Sequence, residues 1–262
     1  VAAFSRNEET GALTQLPGTA ACVSETGTGG ACADGVALDQ AFGVAVSPDG
    51  ESVYVVTNIS DAVAAFSRNE ETGALTQLPG TAACVSKTGT GGACTVGVLL
   101  GDNIRVEVSP DGESVYVAVQ ISDVDAGGVA AFSRNGDTGA LTQLPGTAAC
   151  VSETGTGGAC ADGVALAGAF SVAVSRDGGS VYMASVISDA VAAFSRDEET
   201  GALTQLPGTA ACVSETGTGG ACADGVTLDG AIGVAVSRDG GSVYVVTNIS
   251  DAVAAFSRNE GS

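Results

Sequence analysis

The 262-residue chain has no histidine, no tryptophan, a single methionine, and only nine lysines and arginines. Without histidine there is no Ser-His-Asp or Cys-His catalytic arrangement, and no histidine-ligated zinc. Any hydrolytic chemistry has to rest on carboxylates or on a bound metal. The 30 acidic residues bring the formal charge to −21, which repels phosphate backbones and anionic lipid surfaces, so nucleic-acid partners are not expected. No apolar run approaches the ~20 residues of a membrane-spanning helix, so membrane insertion is not expected either. Aromatic residues make up only 4% of the chain although 45% of it is hydrophobic. That balance, rich in alanine and valine, suits thin, closely stacked strands better than a bulky core.

What is present is repetition. Val-Ala-Ala-Phe-Ser-Arg begins at Val1, Val63, Val129, Val191 and Val253, at spacings of 62, 66, 62 and 62 residues. Residues 1–62 and 191–252 differ at six aligned positions. A fixed period of this length signals a solenoid, a propeller or an array. The repeats run 1–62, 63–128, 129–190 and 191–252, with a fifth partial copy over 253–262, and together read as a single repeat domain over 1–262.

Each repeat carries four strand-like runs, at 42–47, 52–57, 63–68 and 74–78 in the first complete set, designated A to D. Ser47-Pro48-Asp49-Gly50 predicts a tight turn between A and B, with proline presetting φ and glycine free to take a positive one. Asp49, Asp111, Asp177 and Asp239 all precede glycine in these turns and read as turn formers. Strand B is apolar on both faces, Val53 and Val55 on one, Tyr54 and Val56 on the other, as in a strand covered on both sides. Strand D is more polar and reads as an outer edge. Such units describe propeller blades, which stack on neighbours around an axis. A parallel β-helix is the rival, but its coils are shorter and lack these hairpin turns. The expected fold is an all-β propeller of four-stranded antiparallel blades, about four per chain.

Counted from the N-terminus, the strands are C and D, three complete sets, then A, B and C. A ring would close by pairing the first segment with the last. One C strand is then to spare, since 1–6 duplicates 253–258. A spare edge strand is a template for another chain, so head-to-tail self-association is expected.

Ser47-Pro48-Asp49-Gly50 followed by Val53-Tyr54-Val55-Val56-Thr57-Asn58 resembles the YVTN-type propeller repeat, which is related to the lactonase-like propellers. The match recurs at 109–119, 175–186 and 237–248, and covers about half of each repeat. The resemblance implies the fold and offers a lactonase-like hydrolase as an alternative function. The Tyr-Val-Thr-Asn core departs to Tyr-Val-Val-Thr-Asn in the first and fourth repeats, and is lost at Tyr116-Val117-Ala118-Val119-Gln120 and Tyr182-Met183-Ala184-Ser185-Val186.

Between strands D and A lies a surplus, residues 17–40 in the first repeat, that holds Cys22 and Cys32. Cys84 and Cys94, Cys150 and Cys160, and Cys212 and Cys222 repeat the spacing, with nine residues between each pair. One disulfide-closed loop per repeat is the simplest reading, with bridges between neighbouring repeats as the alternative. Zinc motifs use closer spacing or histidines, and redox motifs favour Cys-x-x-Cys. Disulfides point to an oxidising compartment, hence to an extracellular or cell-surface location.

Asp34 and Asp39, with Asp224 and Asp229, flank these loops and could offer oxygens to calcium. The stretch from Gly29 to Val36 approximates the Gly-Gly-x-Gly-x-Asp of calcium β-rolls, but occurs once per repeat with cysteine in place of glycine. Asx-type turns are the favoured reading of these aspartates. No other cofactor is expected. Repeat two departs most from the others. It places Arg105 and Glu107 on strand A where the others have Gly or Ser and then Ala. Two residues apart on one strand, they are expected to share a face, form a side-by-side salt bridge and mark a ligand site in the channel. Repeat two also has Lys87 for Glu, Val96 for Asp, and four extra residues around Asp125. Near-equal repeats suit multivalent contact, so a binding or scaffold module without enzymatic activity is the leading expectation. The alternatives are the lactonase-like hydrolase and an engineered or consensus repeat protein, with the terminal Gly261-Ser262 as a cloning remnant.

Overall fold

The A–B turn shows how each hairpin is made. In this computed structural model, which describes residues 1–121 and 126–258, the Gly50 amide donates to the Ser47 carbonyl at 2.8 Å. Asp49 accepts from the Ser47 hydroxyl at 2.5 Å and from the Glu51 amide at 3.0 Å, and Gly50 takes φ +76°. Asp125 and Gly261-Ser262 lie outside the described residues.

The chain opens with two separate strand pairs, β1 (Phe4–Arg6) with β2 (Leu13–Gln15), and β3 (Val23–Ser24) with β4 (Ala33–Asp34). The first complete sheet holds β5 (Ala41–Val46), β6 (Ser52–Thr57), β7 (Ala62–Arg68), β8 (Leu75–Gln77), β9 (Cys84–Ser86) and β10 (Thr95–Val96). The second holds β11 (Asp102–Val108), β12 (Ser114–Ile121), β13 (Ala126–Arg134), β14 (Leu141–Gln143), β15 (Cys150–Ser152) and β16 (Ala161–Asp162). The third holds β17 (Ala169–Val174), β18 (Ser180–Ser185), β19 (Ala190–Arg196), β20 (Leu203–Gln205), β21 (Cys212–Ser214) and β22 (Ala223–Asp224). A three-stranded sheet of β23 (Ala231–Val236), β24 (Ser242–Thr247) and β25 (Ala252–Ser257) is the last among the described residues. Among the described residues no helix is long and apolar enough to cross a membrane.

The complete sheets have six strands where four were expected. The surplus is part of the sheet rather than a loop outside it. β7 pairs with β8 through Phe66–Arg68 and with β9 through Ala62–Ala64, and β10 adds in parallel to β9. The fourth-strand position is thus shared by β8 and β9 because Pro79 and the short 3-10 turn Gly80–Ala83 interrupt it. The local disulfides form as expected, Cys22–Cys32, Cys84–Cys94, Cys150–Cys160 and Cys212–Cys222, with Cα atoms 4.7–4.8 Å apart.

β6 is buried along its whole length. Val53 and Val55 pack with Val23 and Leu38 of the N-terminal segment, while Tyr54 and Val56 pack with Val106, Val108 and Val115 of the second sheet. Each such valine removed from water contributes roughly 1.5–3 kcal/mol. Stacking is close enough to need small residues: a Cβ on Gly43 would come 2.8 Å from the Ile104 carbonyl oxygen. A glutamine then fastens each of the first three disulfide loops to the sheet after it. Gln77 accepts from the Val36 amide and donates to the Val36 carbonyl, both at 2.9 Å; Gln143 does the same for Val98, and Gln205 for Val164.

The expected ring does not close. Among the described residues β1 pairs only with β2, and β25 only with β24. The edge that the last strand would have to pair with is already taken: β1 occupies β2, and Val1 to Ala3 bond to Ala21 to Val23. The chain is therefore an open arc of three complete sheets with a part-sheet at each end, not four closed blades.

Candidate active site

β5, β11, β17 and β23, the first strands of their sheets, line a channel-like cavity of about 450 Å³ that includes Val44, Arg105, Glu107, Ser171, Gly233 and Tyr244. In β11 the register shifts between Asn103 and Arg105, and Arg105 and Glu107 then lie opposite Ala118 and Tyr116 of β12. Ile104, Val106 and Val108 on the same strand are buried, which leaves Arg105 exposed and Glu107 half-buried. Burial pushes the Glu107 carboxyl above its ordinary value of 4.5. The two side chains share the cavity as expected, but they form no ion pair. An exposed guanidinium is well solvated, and a surface pair would add little to offset the entropy of holding it. Arg105 is the one cation among the described lining residues.

The arginine closing each Val-Ala-Ala-Phe-Ser-Arg string has a role that the sequence reading missed. Arg134 reaches back to the first complete sheet, 2.7 Å from Asp49 Oδ2, 3.0 Å from the Tyr54 hydroxyl and 3.1 Å from the Ser52 hydroxyl. Tyr54 in turn donates to the Gly139 carbonyl of the second sheet at 2.7 Å. Arg196 repeats this latch on Asp111, Tyr116 and Ser114, and Arg258 reaches Asp177 and Ser180. The aspartates are turn formers and also half of an inter-sheet ion pair. Burial pushes the Asp49 carboxyl up, but hydrogen bonds from Ser47, Glu51 and Arg134, with the charge of Arg134, outweigh it and hold it below 3.8. Asp111 and Asp177 are lowered in the same way. A signal was available: five of the chain's nine basic residues occupy this one position.

The loop aspartates serve local structure. Asp34 and Asp224 are exposed on β4 and β22, and the Asp39 amide donates to the Ser60 hydroxyl at 3.1 Å. Burial and the neighbouring Asp189 hold the Asp229 carboxyl above its usual range. Among the described residues no three histidine, cysteine or acidic side chains come together as a metal would need. Lys87 replaces a glutamate that elsewhere accepts a leucine amide, as Glu25 does from Leu38, and instead lies 3.9 Å from Asp61.

No protein-family model and no curated protein matches the sequence. Solved structures do match. The periplasmic gluconolactonase of Pseudomonas aeruginosa aligns with 98% of this chain at 15% identity, with a TM-score of 0.61. A candidate 6-phosphogluconolactonase of Bacteroides uniformis aligns over the same share at 17% identity, TM-score 0.60. The Cps50 β-propeller domain of Myceliophteria thermophila aligns with 84% of the chain and 51% of its own length at 9% identity, TM-score 0.50. The chain spans 60% of the length of the two lactonase-like proteins. The fold is that of the lactonase-like β-propellers, in agreement with the resemblance carried by the Ser-Pro-Asp-Gly turns. One expectation is corrected. A non-catalytic module was inferred from near-equality of the repeats, but the solved proteins of this fold include ones named for lactone hydrolysis, so equal repeats do not exclude an enzyme. The near-equality of the repeats is itself broken in this cavity, where repeat two alone carries Arg105 and Glu107.

Proposed function

We propose that this chain is the larger part of a propeller hydrolase that opens lactones, acting in an oxidising compartment such as the cell exterior. The observation that carries the reading is Glu107, a half-buried carboxyl of raised pKa beside Arg105 in the central cavity, where every other repeat has only small residues. A general base is most effective when its pKa approaches the working pH, and burial moves Glu107 in that direction. The Glu107 carboxylate takes a proton from water as the water oxygen bonds to the lactone carbonyl carbon. The ring C–O bond then breaks, and that proton passes to the departing ring oxygen, giving the open hydroxy acid. Arg105 faces the negative charge that grows on the carbonyl oxygen, and attracts a substrate that is itself anionic.

Glucono-δ-lactone and its 6-phosphate are the substrates to test, with spontaneous opening subtracted. The whole chain should accelerate ring opening, and Glu107→Gln should reduce the enzymatic rate by about 10²–10⁴-fold. Arg105→Ala should raise KM more for the phosphorylated lactone than for the neutral one. Ring opening at the buffer rate, or a Glu107→Gln variant as fast as the parent, refutes the assignment.

A further inference from the structure

We propose that the disulfide loop of repeat two holds a binding site for an apolar amino acid, whose carboxylate takes the place of a glutamate kept by the other repeats. In those repeats the glutamate turns back onto a leucine amide in its own loop. Glu25 accepts from Leu38, Glu153 from Leu166 and Glu215 from Leu228, each at 2.5 Å. Repeat two keeps the leucine, as Leu100, but puts Lys87 where the glutamate stands. A lysine side chain has donors only. Among the described residues the Leu100 amide therefore has no acceptor, although Leu100 is only 3% exposed. A buried amide without a partner is unfavourable and rewards whatever brings an acceptor to it.

The vacated place opens onto a cavity of about 400 Å³ whose lining includes Asp61, Lys87, Val98, Leu100, Asp102 and Ile121. Among the described residues this cavity shares none of its lining with the one that holds Arg105 and Glu107, so the two sites are independent. Lys87 Nζ lies 3.9 Å from Asp61 Oδ2, beyond hydrogen-bond distance, and its side chain is 60% exposed. The ammonium can therefore turn toward a ligand at little cost. Asp102 is as particular to repeat two as Lys87 is, since the other repeats have Gln40, Gly168 and Gly230 at that position. The departures of repeat two thus place both signs of charge around one opening.

Those charges set the class of ligand. The Leu100 amide and the Lys87 ammonium together suit a carboxylate, as the glutamate of the other repeats shows for the amide alone. Asp61 and Asp102 line the same space. Burial raises the Asp61 carboxyl above its ordinary value; Lys87 pulls it down, and the charge of Asp102 adds to the rise. Two carboxylates beside one ammonium leave the cavity short of a positive charge, so a simple carboxylate ion would meet repulsion there. A ligand that carries its own ammonium supplies what is missing. Val98, 38% exposed, and the half-buried Ile121 offer an apolar wall to the rest of the molecule. The fitting molecule is a free apolar α-amino acid. Its carboxylate meets Leu100 and Lys87, its ammonium meets Asp61 and Asp102, and its side chain lies toward Val98 and Ile121.

L-Leucine is the probe, titrated into the intact, oxidised chain by calorimetry. The unfolding midpoint is read in parallel, since a ligand that binds only the folded state raises it. Leucine should bind and raise the midpoint. Leucinamide, which lacks the carboxylate, and isocaproate, which lacks the ammonium, should each bind roughly 10–100-fold more weakly, as loss of a charge-assisted hydrogen bond does. Lys87→Glu restores the residue of the other repeats. It should fold with a raised midpoint and lose leucine binding, because its own carboxylate then accepts from the Leu100 amide. No heat and no midpoint shift at millimolar leucine overturns the proposal. So does leucine binding that Lys87→Glu leaves unchanged, or either analogue binding as tightly as leucine.

Discussion

At the scale of single residues, the molecule depends on few charges placed with care. Arg134 and Arg196 are almost wholly buried, with side chains 3% and 0% exposed, and each is satisfied by one carboxylate, one tyrosine and one serine of the neighbouring sheet. Removing the carboxylate strands the guanidinium. Asp49 itself is 37% exposed, so water partly replaces it, and Asp49→Ala should cost about 1–3 kcal/mol in denaturant unfolding, more than a turn residue alone would. The pH dependence has a definite sign. Asp49, Asp111 and Asp177 have folded pKa values below 3.8, so the stability they supply is complete above that value and is lost as pH falls through the lowered ones. Urea midpoints measured downward from pH 7 should hold until that window and then drop. Asp49→Ala with Asp111→Ala should flatten the drop, and an unchanged acid limb would show that these latches do not govern it.

At the scale of elements, the repeated loop is a structural extension of its sheet. Each disulfide closes a loop with a sequence separation of 10 residues, for an entropic contribution of about 2–3 kcal/mol. Replacing Cys150 and Cys160 by alanine should lower stability by up to that amount and raise amide exchange in β15 and β16 before the β11–β13 ladder. Uniform loss of protection would mean that the loop and sheet unfold as one unit. These elements also mark what could be read from the sequence. β6 was legible to the residue because its alternation is apolar on both faces, and the disulfide pairs were legible from their spacing. The joining of β9 to β7 was not, since Cys84-Val85-Ser86 is too short to show a period. The latches were hidden for a different reason: Arg134 meets Asp49 across 85 positions of sequence, and only stacking of the sheets brings them together. Arg105 and Glu107 were found as exceptions to the repeat, but their separation was not, because burial differs between two positions on one face.

At the scale of the whole molecule, three complete sheets with a part-sheet at each end line a cavity that one repeat makes chemically distinct. The remaining repeats contribute walls at Ser171, Gly233 and Val44, and repeat two contributes Glu107 and Arg105, on which the proposed activity rests. A carboxyl raised by burial acts as a base only above its own pKa. The most direct measurement is the pH dependence of glucono-δ-lactone opening by the intact chain, corrected for spontaneous hydrolysis. Enzymatic opening should fall on the acid side with a midpoint above the 4.5 of a free glutamate, and this limb should vanish in Glu107→Gln. A rate equal to buffer across the range, or an acid limb that survives in Glu107→Gln, would contradict a catalytic role for Glu107.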